Sequence, residues 1–198
     1  MTFGRILLAV AFLLVGAAAA FGAPLQAVPT DPAAVRSLPV GSPGPHFEVR
    51  RPQIVICYRG GWCPYRNAQL SDLRHAEEQL RAQGFDILFM STDRPQILYS
   101  SLKEPGIHCA LLSDAQMTAA HAFHIAFHLD DATIAQYRKY GVDLETSTGT
   151  TLHELPVPSV FISDTGGTVH FVYSNPDYKV RLHAQALLKA AGPYRLRK

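Results

Sequence analysis

The hydrophobic positions of this chain change period several times, and the changes outline its elements. Ile54-Val55-Ile56-Cys57-Tyr58 is an unbroken apolar run, which reads as a buried strand, and it stops abruptly at Arg59-Gly60-Gly61. After Cys63 and Pro64, Leu70, Leu73, Ala76 and Leu80 recur at helical spacing, and Gly84 is placed to end that helix. Phe85 to Met90 reads as the next strand, closed by Ser91-Thr92-Asp93-Arg94-Pro95. A short helix from Gln96 to Lys103 follows, giving way to Pro105-Gly106, and Cys109 to Leu112 forms a third strand. Asp114 caps a helix running to about Phe123, Ala132 to Tyr140 is another helix, and Gly141 to His153 is irregular. Val160 to Ile162 and Val169 to Tyr173 make a hairpin around Asp164-Thr165-Gly166-Gly167. A last helix carries Val180, Ala184, Leu187, Leu188 and Ala191 on one face. Near the start, His46 to Val49 forms a short edge strand.

Strands alternating with helices imply parallel pairing, whereas the closing hairpin must be antiparallel. The expected fold class is therefore α/β, with a mixed central sheet, helices on both faces and a cysteine after the first central strand. That description is a thioredoxin-like fold.

The first residues stand apart from this pattern. Arg5 precedes an apolar, uncharged run from Ile6 to Ala20, and Ala20-Phe21-Gly22 offers small residues where a signal peptidase reads. Residues 1–22 are read as a cleaved signal peptide, since the run is short for a spanning helix. Residues 23–45 hold many prolines and little periodicity, and form an extended arm. Residues 46–198 are one thioredoxin-like domain. An exported protein follows, periplasmic in preference to extracellular, with no stable membrane association after cleavage. The net charge of +2 gives no argument for a nucleic acid or an anionic membrane as partner. Three cysteines cannot all pair within the chain, so at least one thiol is free.

The chemistry concentrates at Tyr58-Arg59-Gly60-Gly61-Trp62-Cys63-Pro64-Tyr65-Arg66. A thiol at the start of a helix lies among unpaired backbone N–H groups and the positive end of the helix dipole, which favours the thiolate. Arg59 and Arg66 add positive potential: a unit charge ~6 Å away contributes about 0.7 kcal/mol in water and roughly 2.8 at an effective dielectric of 20. Cys63 is thus the candidate nucleophile. Arg66 occupies the position where a second cysteine would complete Cys-x-x-Cys, so any catalysis is one-cysteine chemistry. Against this stands a degenerate site that keeps Cys63 only for packing.

Cys57 lies inside the strand and Cys109 beside Ala110-Leu111-Leu112, so both read as buried, inert thiols. Either becomes a resolving thiol only if its Cα comes within roughly 7 Å of that of Cys63. His121, His124 and His128 recur at helical spacing before Asp130 and Asp131, a pattern that could face a metal. Phe123 and Phe127 favour a packing helix instead. No metal and no cofactor are expected.

Four separated stretches, Tyr58 to Tyr65, Leu111-Leu112-Ser113-Asp114, Leu155-Pro156-Val157-Pro158, and Asn175-Pro176-Asp177-Tyr178 with Arg181, occur in an order that resembles the peroxiredoxin-like branch of the alkyl hydroperoxide reductase/thiol-specific antioxidant family. The resemblance runs from about Leu38 onward. It implies that Pro158 follows a cis peptide bond in a loop facing the cysteine, and that Glu154, Asp177, Tyr178 and Arg181 neighbour the site. Three departures stand out. Branch members carry a cysteine where this chain has Arg66, and true peroxiredoxins carry a threonine at the position of Gly60. They also use an arginine where this chain has Pro158.

The expected function is that of an exported thiol-dependent redox protein. Cys63 attacks a peroxide and becomes a sulfenic acid, which an external thiol or protein reductant restores. Trp62, Tyr65 and the Val157-Pro158 loop shape the pocket, while Arg59 and Arg66 stabilise negative charge on sulfur and on the departing oxygen. Monothiol exchange with disulfides or glutathione mixed disulfides is the alternative enzymatic reading. A non-catalytic binding protein on a redox fold is the third.

Overall fold

The computed structural model describes residues 27–45, 51–101 and 110–196. The expected signal peptide, the first residues of the expected arm, the expected 46–49 strand, the end of the expected 96–103 helix and Cys109 lie outside the described residues.

The apolar run becomes β1 (Gln53–Tyr58), the middle strand of a five-stranded sheet in which every β1 residue is buried. Helix α1 (Pro64–Ala82) follows, then β2 (Asp86–Ser91), α2 (Pro95–Ser101), β3 (Ala110–Ser113) and the short α3 (Thr118–Ala122). Next come β4 (Ala126–His128), α4 (Asp131–Lys139), α5 (Leu144–Thr148) and β5 (Glu154–Pro156). Strands β6 (Ser159–Ser163) and β7 (Val169–Ser174) and helix α6 (Ala184–Ala191) close the domain. The sheet order is β3-β2-β1-β6-β7, parallel among β1, β2 and β3 and antiparallel at β1–β6 and β6–β7. The mixed sheet expected from the alternation is therefore present.

Side chains that alternate along β1 feed opposite faces. Ile54, Ile56 and Tyr58 pack with Leu73, Ala76 and Leu80 of α1 and Leu187 and Ala191 of α6. Val55 and Cys57 join Met117, Ala120, Phe123 and Phe161 on the other face. A third cluster of Phe127, Leu129, Ile134, Leu144, Leu155 and Val157 underlies α4 and α5, with Trp62 and Tyr137 packed against it.

Four expectations need correction. The final helix begins at Ala184, not near Val180. The Asp72 carboxylate of α1 accepts the Ala184 N–H at 2.7 Å, while Asn175 and Asp177 accept the N–H groups of Asp177 and Lys179 and hold the preceding chain in turns. Residues 141–153 are not wholly irregular, because Asp143 caps α5 through the Thr146 N–H and Gly149 ends it in a left-handed conformation. The three histidines do not share a helix. His124 turns left-handed at φ 56 and ends the α3 segment, which puts His128 on β4, paired with Glu154 of β5. The Val157–Pro158 bond is trans, as the described residues contain no cis peptide bond. There the Val157 N–H donates to the Ile125 carbonyl at 2.8 Å, so the loop is held by a backbone bond to the strand opposite.

Candidate active site

The turn after β1 is shaped by what packs on it. Gly60 has φ 157, and a Cβ there would lie 2.3 Å from the Trp62 indole nitrogen. The indole occupies the space a side chain would need, so a threonine at Gly60 could enter only by displacing Trp62. The Asp93 carboxylate straps the turn from the β2–α2 loop, accepting the Gly61 N–H at 2.6 Å and the Ser91 hydroxyl at 2.7 Å. Thr92 donates its hydroxyl to the Arg59 carbonyl at 2.7 Å.

Cys63 ends this turn as the N-cap of α1, with Pro64 as the first helical residue, and is 1% exposed. Its N–H donates to the Gly60 carbonyl at 3.1 Å, and its carbonyl accepts from the Arg66 N–H. Arg181 reaches the sulfur from the segment before α6, with Nη2 at 3.8 Å from Sγ. The late start of α6 therefore matters for the site: the turns over 175–180 are what bring Arg181 to the thiol. Burial pulls the Arg181 guanidinium below its ordinary value, Cys63 opposes that shift, and nearby Arg59 reinforces it.

Arg59, 5% exposed, is enclosed by aromatic rings. Its guanidinium carbon lies 4.5 Å from the Tyr178 ring centroid, 5.4 Å from Tyr137, and 5.9 Å from both Trp62 and Phe127. Its Nη2 donates to the Tyr137 hydroxyl. The Tyr137 phenol is pushed up chiefly by burial, and also by Tyr178 and Cys63, while Arg59 pulls it down. Trp62 meets Tyr137 edge-on with centroids 5.3 Å apart, and Tyr65 meets Tyr178 edge-on at 5.6 Å. Arg66, 3% exposed, turns its guanidinium toward the Gly61 carbonyl and the Tyr58 ring. It braces the turn from beneath.

Pro158, Arg59, Phe127, Tyr137, Pro176 and Tyr178 line a cavity of about 220 Å³. Val157 is buried in the third cluster. Cys57 lies on the opposite face of the sheet from α1, in the second cluster, and burial and then the Asp114 carboxylate push its thiol up. Both described cysteines are free. Glu154 pairs with His121 at 2.7 Å and Asp177 makes a local turn, so neither is placed beside Cys63 by its contacts.

The polar balance of the site is uneven. Arg59 Nε, Trp62 Nε1, and Arg181 Nε and Nη1 are buried donors with no acceptor among the described residues. One buried acceptor, Asp93 Oδ1, is likewise unmatched. Buried donors are ordinarily satisfied, so a surplus next to a thiol suits an oxygen-rich or anionic ligand. The sequence does not single out Tyr137, which lies within a helical pattern like any other. Its contact with Arg59 spans 78 positions, and no local signal carries it.

Compared with known proteins, the chain matches the AhpC/TSA family over residues 47–172. No curated protein matches it. Among solved structures it is similar to AhpC of Enterococcus faecalis, at 16% identity and a TM-score of 0.54, over 72% of this chain and 75% of that one. The bacterioferritin comigratory protein of Xanthomonas campestris is 19% identical with a TM-score of 0.54, over 72% and 78%. A yeast mitochondrial 1-Cys peroxiredoxin is 12% identical with a TM-score of 0.55, over 78% and 75%. At these identities the likeness carries the fold.

Proposed function

Because the chain belongs to the AhpC/TSA family of thiol-dependent oxidoreductases, we infer that it reduces peroxides through one cysteine, Cys63. The observation that carries this reading is the Arg181 guanidinium 3.8 Å from the Cys63 sulfur, amid buried donors that lack acceptors. The sulfur, as thiolate, attacks one peroxide oxygen and the O–O bond breaks. Sulfur is oxidised to sulfenic acid, and the second oxygen leaves with a proton as water or an alcohol. Arg181 offsets negative charge on the reacting atoms in a water-poor site, where such a charge acts most strongly.

One external thiol then condenses with the sulfenic acid, releasing water, and a second displaces the first as a disulfide, restoring Cys63. An external reductant is favoured because Arg66 fills the second-cysteine position and Cys57 lies across the sheet. The yeast 1-Cys relative is resolved through glutathione and thioredoxin systems, and a small thiol or thioredoxin-like protein is the matching partner here. Arg5 and the apolar run Ile6–Ala20 support export. Cell fractionation tests that placement, and recovery in the cytosol would overturn it.

The chain has one tryptophan, next to Cys63, so oxidation can be followed by stopped-flow fluorescence. Second-order quenching by hydrogen peroxide or tert-butyl hydroperoxide, absent in Cys63→Ser, is the expected result. Sluggish peroxide reaction with fast exchange against a glutathione mixed disulfide would move the function to disulfide exchange. Inertness to both, with ordinary alkylation rates at Cys63, would leave a non-catalytic binding protein.

A further inference from the structure

We propose that Tyr137 is a catalytic proton donor, delivering its phenolic proton to the oxygen that leaves when Cys63 is oxidised. The proposal rests on the peroxidase reading above.

Breaking an O–O bond by sulfur expels an alkoxide or hydroxide, both poor leaving groups unless a proton arrives as the bond breaks. A positioned acid supplies typically 10²–10⁴-fold to such a step. Neither guanidinium is suited to release a proton at neutral pH. The trapped tyrosine is suited by its bonding. A hydroxyl can accept two hydrogen bonds and donate one. Tyr137 accepts from Arg59 Nη2, and its own O–H has no acceptor among the described residues. The proton is therefore free to be given to a ligand.

Position supports the same role. Tyr137 is on the wall of the cavity that also holds Arg59, Pro158 and Tyr178, and its ring packs against Trp62, the residue before Cys63. The charged and titratable groups that act on the phenol are Arg59, Tyr178 and Cys63, so it is within electrostatic reach of the sulfur. Burial keeps it in its neutral, proton-bearing form, while the Arg59 contact stabilises the phenolate formed after transfer. In the balanced step, the thiolate forms an S–O bond, the O–O bond breaks, and the leaving oxygen takes the Tyr137 proton. The phenolate regains a proton from water before the next turnover. Helix α4 holds Tyr137 there through the Asp130 cap and buried Ile134.

The test compares leaving groups. Full-length Tyr137→Phe is mixed with tert-butyl hydroperoxide, whose alkoxide needs a proton, and with peracetic acid, whose carboxylate does not. The expected result is an oxidation rate about 100-fold lower for the hydroperoxide and within about threefold for the peracid. Tyr140→Phe, exposed at the end of the same helix, leaves both rates unchanged. An equal loss with both oxidants would make Tyr137 structural, and no loss with either would remove it from the chemistry. Either outcome overturns the proposal while leaving the peroxidase reading intact. Should Tyr137→Phe not fold, the wild-type rate across hydroperoxides of graded leaving-group acidity decides: a shallow dependence supports the donor and a steep one overturns it. A wild-type protein inert to every peroxide would overturn the peroxidase reading and this proposal together.

Discussion

Cys57 and Cys63 flank the same glycine turn and are each 1% exposed, yet their surroundings differ in kind. Cys57 is enclosed by an apolar cluster with Met90, Met117 and Phe161, and the nearest influence of note is the Asp114 carboxylate. Burial there penalises a negative sulfur and nothing offsets it. Cys63 is hidden equally well, but the Arg181 guanidinium lies 3.8 Å from its sulfur and the sulfur acts on the Tyr137 phenol. Burial alone therefore says little about a thiol's chemistry. What fills the space around it decides whether a thiol is inert packing or a reacting group.

The largest effect should come from exchanging the two sulfurs for oxygen one at a time. Cys63→Ser should lower the peroxide oxidation rate by more than about 1,000-fold, because a serine hydroxyl without a general base is a weak nucleophile. Cys57→Ser should leave that rate within about twofold but destabilise the fold by about 1–3 kcal/mol, since its hydroxyl enters an apolar cluster. Stopped-flow fluorescence measures the first and urea unfolding the second. A catalytic loss in Cys57→Ser at full folding would erase the distinction between the two sites.

The next effect is that of the cation. Arg181→Met keeps most of the packing and removes the charge beside Cys63. A hydrogen bond to a charged group is worth about 1.5–3 kcal/mol, which corresponds to roughly 10- to 150-fold in rate. Arg181→Lys should recover part of it. If the methionine variant reacts with peroxide as fast as the wild type, the contact is packing alone.

How far the difference was legible beforehand depends on the range of the contacts. The strand, the glycine turn and the helix start at Cys63 follow from adjacent residues, as does the alternation that sends Cys57 to the face opposite Ile56. Arg181 was reached only through a family resemblance. Helical spacing from Val180 to Ala191 places it inside a helix, and the late helix start that frees it depends on Asp72, on α1, together with the Asn175 and Asp177 turns. Tyr137 had no signal at all. The β4–β5 pair was also invisible, since three-residue strands carry too little alternation to be seen against a helical pattern of histidines and phenylalanines.

The turn itself offers a smaller test. Gly60→Thr restores the residue that true peroxiredoxins carry, but its Cβ would fall 2.3 Å from the Trp62 indole nitrogen. The indole must leave, taking its packing with Tyr137 along. A cost of about 1–3 kcal/mol is expected for this overpacking, or roughly 2–12 °C in Tm for a domain of this size. A red-shifted Trp62 emission should accompany it. An unchanged Tm and spectrum would mean that the turn has room for a side chain.

The smallest effect is the pH dependence that Cys57 gives to stability. The Cys57 thiol is pushed above its ordinary value in the folded protein, so the folded state holds that proton more tightly than the unfolded chain does. Stability from this group is fully present below the unfolded thiol value of about 8.5 and is lost as pH rises through and beyond it. Tyr137 acts with the same sign, but only above about 10, where unfolded tyrosine begins to ionise. Urea unfolding of wild type and Cys57→Ala at a series of pH values should therefore give curves that converge between pH 8.5 and about 10, the alanine variant losing less stability over that interval. Asp114→Asn should flatten the wild-type slope slightly, since its carboxylate is the second cause of the Cys57 shift. Parallel curves for wild type and Cys57→Ala would mean that the Cys57 proton is held no more tightly in the fold than outside it.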